Sequence, residues 1–285
     1  IVTVADDGGS SGIIRNELAI PPPGDIRNVI AALSEAEPTI KSLFQYRFEN
    51  GNGLSGHSLG NLLLAAITSI TGDFVSGIRE LSRVLNVNGI VLPAANQSII
   101  LNARMTDGSI VEGESKIPKS NKVIDRVFLS PEDIEPLPES LQAIEEADLI
   151  AVGPGSLYTS ILPNLLVPSF GKAVCQASAK KVYICNVMTQ RGETNHFTAS
   201  DHVQALIDHL QCSFIDTIVV NNKSIPDEIT ARYQEEGAEP VHYDEERLKS
   251  FGFEVISGKM IQYDQSVIRH DEQRVSQLLY EMVSR

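Results

Sequence analysis

Two neighbouring carboxylates, Asp6 and Asp7, close a β-branched apolar run (Ile1-Val-Thr-Val-Ala5) and open the small-residue stretch Gly8-Gly9-Ser10-Ser11-Gly12. Acids at a strand tip accept hydrogen bonds from ribose hydroxyls or hold a divalent cation such as magnesium, so Asp6 and Asp7 are the candidates for catalysis and for metal binding. Gly8, Gly9 and Ser10 read as a flexible loop that lets a ligand approach the backbone. The plain alternative is a turn, because Asp-Gly is ordinary turn chemistry. A second group, Gly153-Pro154-Gly155-Ser156, stands between the apolar run Asp148-Leu-Ile-Ala-Val152 and a helical pattern. The first amides of a helix lack partners within it, so this junction would present them to a phosphate, helped by the hydroxyls of Ser156, Thr159 and Ser160. Ser156 lacks a Gly-x-Ser-x-Gly elbow and is not read as a nucleophile.

Three further segments carry polar residues at helix starts. Pro21-Pro22-Pro23-Gly24-Asp25-Ile26-Arg27-Asn28 stiffens the approach to a helix, where Asp25, Arg27 and Asn28 are ligand candidates and Arg27 suits a phosphate. Gly51-Asn52-Gly53-Leu54-Ser55-Gly56 has the Gly-x-Gly-x-x-Gly spacing, but an amphipathic helical pattern precedes it instead of a strand, so the dinucleotide fingerprint is weak. His57, Ser58 and Asn61 follow as ligand candidates at a helix start. The stretch 186–194 supplies Thr189, Arg191 and Thr194, and its loop should lie on the same sheet edge as the loop after Val152. His196, His202 and His209 lack a metal-binding pattern and read as solvated residues on one helix face.

These residues need a scaffold, and the sequence spells one out. Apolar β-branched runs at 1–5, 123–129, 148–152, 181–187 and 214–220 lack polar alternation, as do strands covered on both faces. Helical spacings fall at 60–70, 73–85, 139–147, 156–166, 198–210 and 270–283. The alternation predicts one α/β domain over 1–285: a Rossmann-like, doubly wound, mostly parallel sheet. Thr106-Asp107-Gly108 marks an antiparallel hairpin excursion at about 97–115.

Composition narrows the partners. A net charge of −14 without a basic stripe disfavours nucleic acid. Hydrophobic residues make up 42% of the chain, yet no apolar run is long enough to span a bilayer. No export signal opens the chain, so a soluble cytoplasmic protein is expected, acting on a small-molecule nucleotide and assembling as a homo-oligomer. Cys175, Cys185 and Cys212 are expected to be reduced, buried thiols.

Five blocks together resemble the CofD-like family and its YvcK-type branch of bacterial gluconeogenesis factors: residues 5–11, 22–28, 56–61, 153–161 and 186–194, in this order. The resemblance implies a Rossmann-like core whose ligand cleft is lined by the Asp6/Asp7 turn and the loops around His57, Gly153 and Thr189. It raises the standing of Asp25, His57 and Asn61 as ligand residues. Such proteins usually open with a strand and a Gly-Gly-Gly-Thr-Gly loop, which this chain lacks, and Ile1 is no initiator, so residues upstream are expected. The YvcK branch implies a UDP-sugar-binding regulator of central carbon metabolism and cell shape, not a conventional enzyme. CofD itself implies a phospholactyl-type transferase using a nucleotide diphosphate donor with magnesium. The Rossmann-like reading alone suggests NAD as a third ligand.

Overall fold

The computed structural model describes residues 1–264 and 267–284. Five helices come first: α1 (Gly9–Leu18), α2 (Gly24–Leu33), α3 (Pro38–Gln45), α4 (Leu59–Thr71) and α5 (Phe74–Val84). The expected first strand is absent as such. Residues 1–5 run extended and make one parallel bridge, Val2 to Pro93, with Val2 N–H on the Leu92 carbonyl at 2.9 Å. The small-residue stretch after Asp7 is also no flexible loop but the first turn of α1. Ser10, Ser11 and Gly12 are buried there, and a Cβ on Gly12 would strike the Asp7 carbonyl, so small side chains permit the close packing.

Strands β1 (Ile100–Met105), β2 (Ile110–Glu112) and β3 (Ile124–Ser130) form an antiparallel sheet in the order β2-β1-β3. The predicted hairpin is therefore present. The run at 123–129, expected in the parallel sheet, instead pairs antiparallel with β1 as its third strand. The parallel sheet holds β4 (Leu149–Val152), β5 (Lys180–Ile184), β6 (Thr217–Asn221) and β7 (Glu254–Gly258), in sequential order. α6 (Pro138–Glu145) precedes β4, and between the strands lie α7 (Leu162–Leu165) and α8 (Phe170–Gln176) before β5, α9 (Ala199–Leu210) before β6, and α10 (Asp227–Glu235) and α11 (Glu245–Ser250) before β7. A hairpin, β8 (Ile261–Asp264) with β9 (Val267–His270), and α12 (Glu272–Val283) follow.

The unbroken apolar character of β5 follows from cover on both faces. Tyr183 points into the main core, while Val182 and Ile184, one residue to either side, pack with Val219, Met260 and Val275 beneath α12. Among the described residues no single helix is long and apolar enough to cross a membrane.

Two expectations about side chains change. Cys175 and Cys212 are joined by a disulfide, 37 residues apart, and only Cys185 is a free buried thiol. His202 and His209 are buried, not solvated: their Nδ1 atoms lie 2.8 Å and 2.7 Å from the carbonyls of Thr198 and Ala205, and His209 Nε2 accepts from Val127 N–H of β3 at 3.0 Å. They share the inner face of α9 with Val203 and Leu206. Burial holds both imidazoles below the ordinary histidine range.

Candidate functional site

The first turns of α1, α2 and α4 meet at one place. α4 begins at a Ser58 cap whose hydroxyl accepts from Asn61 N–H at 3.1 Å, leaving the Asn61 side chain to point away from its own helix. Asn61 Nδ2 donates to the hydroxyls of Ser10 (3.1 Å) and Ser11 (3.3 Å) in α1, and Asn61 Oδ1 accepts from Arg27 Nε in α2 (3.2 Å). Ser10 Oγ lies 3.1 Å from His57 Nδ1. Arg27 also donates to Gln45 at 3.4 Å, and among the described residues it forms no ion pair, though it is 8% exposed. Burial and the charge of Arg47 hold its basicity down, while Asp25 and Asp6 act in the opposite sense. Three helix starts and a buried guanidinium meet here, with the carboxylates of Asp25 and Asp6 near enough to act on the guanidinium.

Close approach here depends on Gly60 in the first turn of α4. A methyl group on it would strike the Phe44 carbonyl and lie 2.8 Å from Cγ and Cδ of Arg27. Gly60→Ala is expected to cost about 2 kcal/mol of stability in a urea melt by overpacking, and to displace the guanidinium from Asn61. An unchanged midpoint would show that the packing yields.

The carboxylates are placed less simply than a pair at a strand tip. Asp6 Oδ1 accepts from Gly8 N–H at 2.8 Å, and Asp6 packs against Gly24 beside Ser11. Asp7 turns the other way, accepting from Ser115 N–H at 2.8 Å and packing on Gly113. The two acids thus diverge, and among the described residues no three His, Cys, Asp or Glu side chains are grouped to hold a metal ion. The pair does not fit magnesium as it stands. Asp6 instead acts on Asp25, whose carboxyl is pushed up to about 6, first by burial and then by Asp6, against the pull of Arg27.

The other wall is built from residues 153–161 and 186–194. Gly153 adopts φ +84°, and a Cβ there would meet the Ile184 carbonyl at 2.9 Å, so glycine lets this loop leave β4 over β5. Residues 157–161 then form a wide turn, in which both Ser160 and Ile161 N–H donate to the Ser156 carbonyl at 2.9 Å. Three side chains of the second loop, Asn186, Gln190 and Glu193, clasp the first. Asn186 Nδ2 donates to the Gly155 carbonyl (2.9 Å), Gln190 Nε2 to Ser156 Oγ (2.6 Å), and Thr159 Oγ1 to Glu193 Oε1 (3.1 Å). Pro154 lies between the two glycines of this turn.

Glu193 changes the expectation for the amides after Ser156. The Tyr158 and Thr159 amides already act on its carboxyl, so the protein sets an acid of its own at this helix start. Burial still outweighs those donors and pushes the carboxyl up to about 7, with Oε2 buried and unpartnered. Glu114, beyond β2, is likewise pushed up to about 7, by burial and then by Asp6, Asp25, Asp7 and Glu193. The charges of Asp6, Asp25, Asp7 and Glu193 thus all act on one buried carboxyl.

These shifts have a defined sign. With folded values above the ordinary 3.8 of Asp25 and 4.5 of the two glutamates, the folded chain holds protons that the unfolded chain has released. Their stabilisation is complete below the unfolded pKa values and is lost as pH rises through about 6 to 7. Glu193→Gln is expected to gain on the wild type in unfolding free energy from about pH 5 to about pH 8. A difference that stays flat in urea melts across that range would refute the assignment.

The structure brings Asp6, Gly8, Gly9, Ser10, Asp25, Arg27, His57, Ser58 and Asn61 together, with Asp7 facing the hairpin. It places others apart from this cluster. Asn28 is exposed on the outer side of α2. Thr189 is buried with its hydroxyl accepting from Glu239 N–H at 3.0 Å, and Thr194 accepts from Gln190 N–H at 2.9 Å, so both brace their loop. Arg191 lies against Gly237. Sequence reasoning passes over Glu114, Glu193 and Gln190, though an acid or amide in a loop that meets a helix start was the available signal.

The fold defines an α/β protein in which polar residues gather at helix and strand ends. A family model described as "2-phospho-L-lactate transferase CofD" matches residues 1–261, and the chain belongs to the CofD family. It is 62% identical over 283 residues to a "Gluconeogenesis factor" of Bacillus subtilis strain 168, covering 99% of this chain and 89% of that protein. A "Gluconeogenesis factor" of Halalkalibacterium halodurans is 60% identical over 281 residues, covering 99% and 87%. A crystal structure of a Bacillus halodurans protein superposes with a TM-score of 0.97 at 60% identity, over 98% of this chain and 90% of that one.

Proposed function

We propose that the chain is a nucleotide-sugar-binding regulatory protein serving gluconeogenic growth and cell shape, with a UDP-sugar as ligand. The observation that supports it is Arg27: a buried guanidinium that forms no ion pair among the described residues, set among the starts of α1, α2 and α4. A diphosphate supplies the missing anion. The relatives named as gluconeogenesis factors support the metabolic setting. His57, Ser10 and Asn61 line this subsite, and the Gly155–Ser156 turn with its clasping loop closes the far wall. Titration calorimetry with UDP-N-acetylglucosamine and UDP-glucose is expected to give saturable heat with at least one of them. The absence of heat with both at millimolar ligand refutes the reading.

A second reading keeps the CofD chemistry, transfer from a nucleotide diphosphate-linked donor, and is favoured by the family match and by the carboxylates crowded in the cleft. Magnesium would then draw on Asp6 and its neighbour Asp25 rather than on Asp6 with Asp7. Product formation lost in Asp6→Asn supports that reading. A bound nicotinamide dinucleotide finds less support, since Gly51, Gly53 and Gly56 sit in an exposed turn after α3, not at the end of a parallel strand.

A further inference from the structure

The hydrogen bonds joining α2, α4 and α1 run in one direction only. Arg27 Nε carries a proton and cannot accept, so the atom of Asn61 facing it at 3.2 Å is the carbonyl oxygen, and the amide of Asn61 cannot be turned over. Its Nδ2 must then donate to Ser10 Oγ at 3.1 Å and to Ser11 Oγ at 3.3 Å. Ser10 is 4% exposed, and its hydroxyl has one other partner among the described residues, His57 Nδ1 at 3.1 Å. A buried hydroxyl that already accepts from an amide places its own proton on the remaining acceptor. His57 Nδ1 therefore accepts, and the ring proton sits on Nε2. That nitrogen makes no hydrogen bond among the described residues and is not among the buried atoms left without one, so it opens onto solvent.

We infer that Ser10 and Asn61 are positioning residues that fix the tautomer of His57, so that His57 offers a single Nε2–H donor to a phosphoryl oxygen of the bound nucleotide. This rests on the ligand reading above for the identity of the acceptor. The tautomer rests on geometry alone. The relay starts at the buried guanidinium and ends at the cleft, so anything that moves Arg27 also reorients the donor.

Long-range nitrogen–proton NMR on the full chain, with the His57 signals assigned by their loss in His57→Gln, tests the first half. The expected spectrum has an unprotonated Nδ1 and a protonated Nε2, and in Ser10→Ala the two nitrogens move towards a mixture. A wild-type spectrum with the proton on Nδ1, or one that Ser10→Ala leaves unchanged, overturns the assignment. Binding of UDP tests the second half, because glutamine places an N–H where Nε2 stood and asparagine places one where Nδ1 stood. His57→Asn is expected to bind UDP about tenfold more weakly than His57→Gln. Equal affinity for the two variants overturns the donor role alone, whereas no UDP binding by the wild type overturns both that role and the proposed function.

Discussion

Asn61→Leu is expected to lower the unfolding free energy by about 3–5 kcal/mol, although leucine is close to asparagine in size. Three hydrogen bonds are lost at once, and the donors and acceptors they served stay buried: Arg27 Nε and the hydroxyls of Ser10 and Ser11. A hydrogen bond to a charged group contributes about 1.5–3 kcal/mol and a neutral one about 0.5–1.5 kcal/mol, and stranding the partners adds to the loss. The guanidinium is the costliest of them, because a buried charge that loses a hydrogen bond is penalised more than a hydroxyl that does. Urea melts check the size. Asn61→Asp separates charge from geometry: it keeps the acceptor for Arg27 and loses the donor for Ser10, so it should fall between leucine and the wild type. A loss below about 1 kcal/mol in Asn61→Leu would mean that water replaces the side chain.

Cys212→Ser is the second large effect. Closing 37 residues of chain removes enough freedom from the unfolded state to give about 3–4 kcal/mol, on the chain-entropy account. The bridge ties the end of α8 to the segment after α9, so its loss falls on the helices that flank β5, not on the cleft. The expected result is a lowered urea midpoint in Cys212→Ser and the same lowered midpoint for the wild type in excess reductant. UDP-sugar affinity should be unchanged in both. A wild type indifferent to reductant would show that the two sulfurs are not bonded in solution.

How much of this was legible in the sequence depends on what each residue needed. Strands β4, β5 and β6 could be read directly, since both of their faces are covered and their apolar runs have no break. The run at 123–129 has the same composition but pairs with β1, because apolar character reports burial and not the direction of a neighbour. The stretch from Gly8 to Gly12 looked like a loop because glycine and serine are weak helix formers, yet tertiary packing against α4 sets it as helix. The ligand candidates at helix starts were legible as positions, and Asp25, Arg27, His57 and Asn61 do converge. Their partners were not, because hydrogen bonds such as Asn61 to Ser10 span 51 residues. Glu193 was hidden for a related reason: a carboxylate in a polar loop gives no sign that it will turn back onto the Tyr158 and Thr159 amides.

The contact between Arg126 and the end of α9 bears on how the two sheets are held together. Arg126 donates to the carbonyls of Asp208 and His209 at 3.2 Å and 3.0 Å, and the Val127 amide engages the His209 ring. The antiparallel sheet is thereby fastened to the helix that leads into β6, so the two sheets are tied by hydrogen bonds as well as by the core they share.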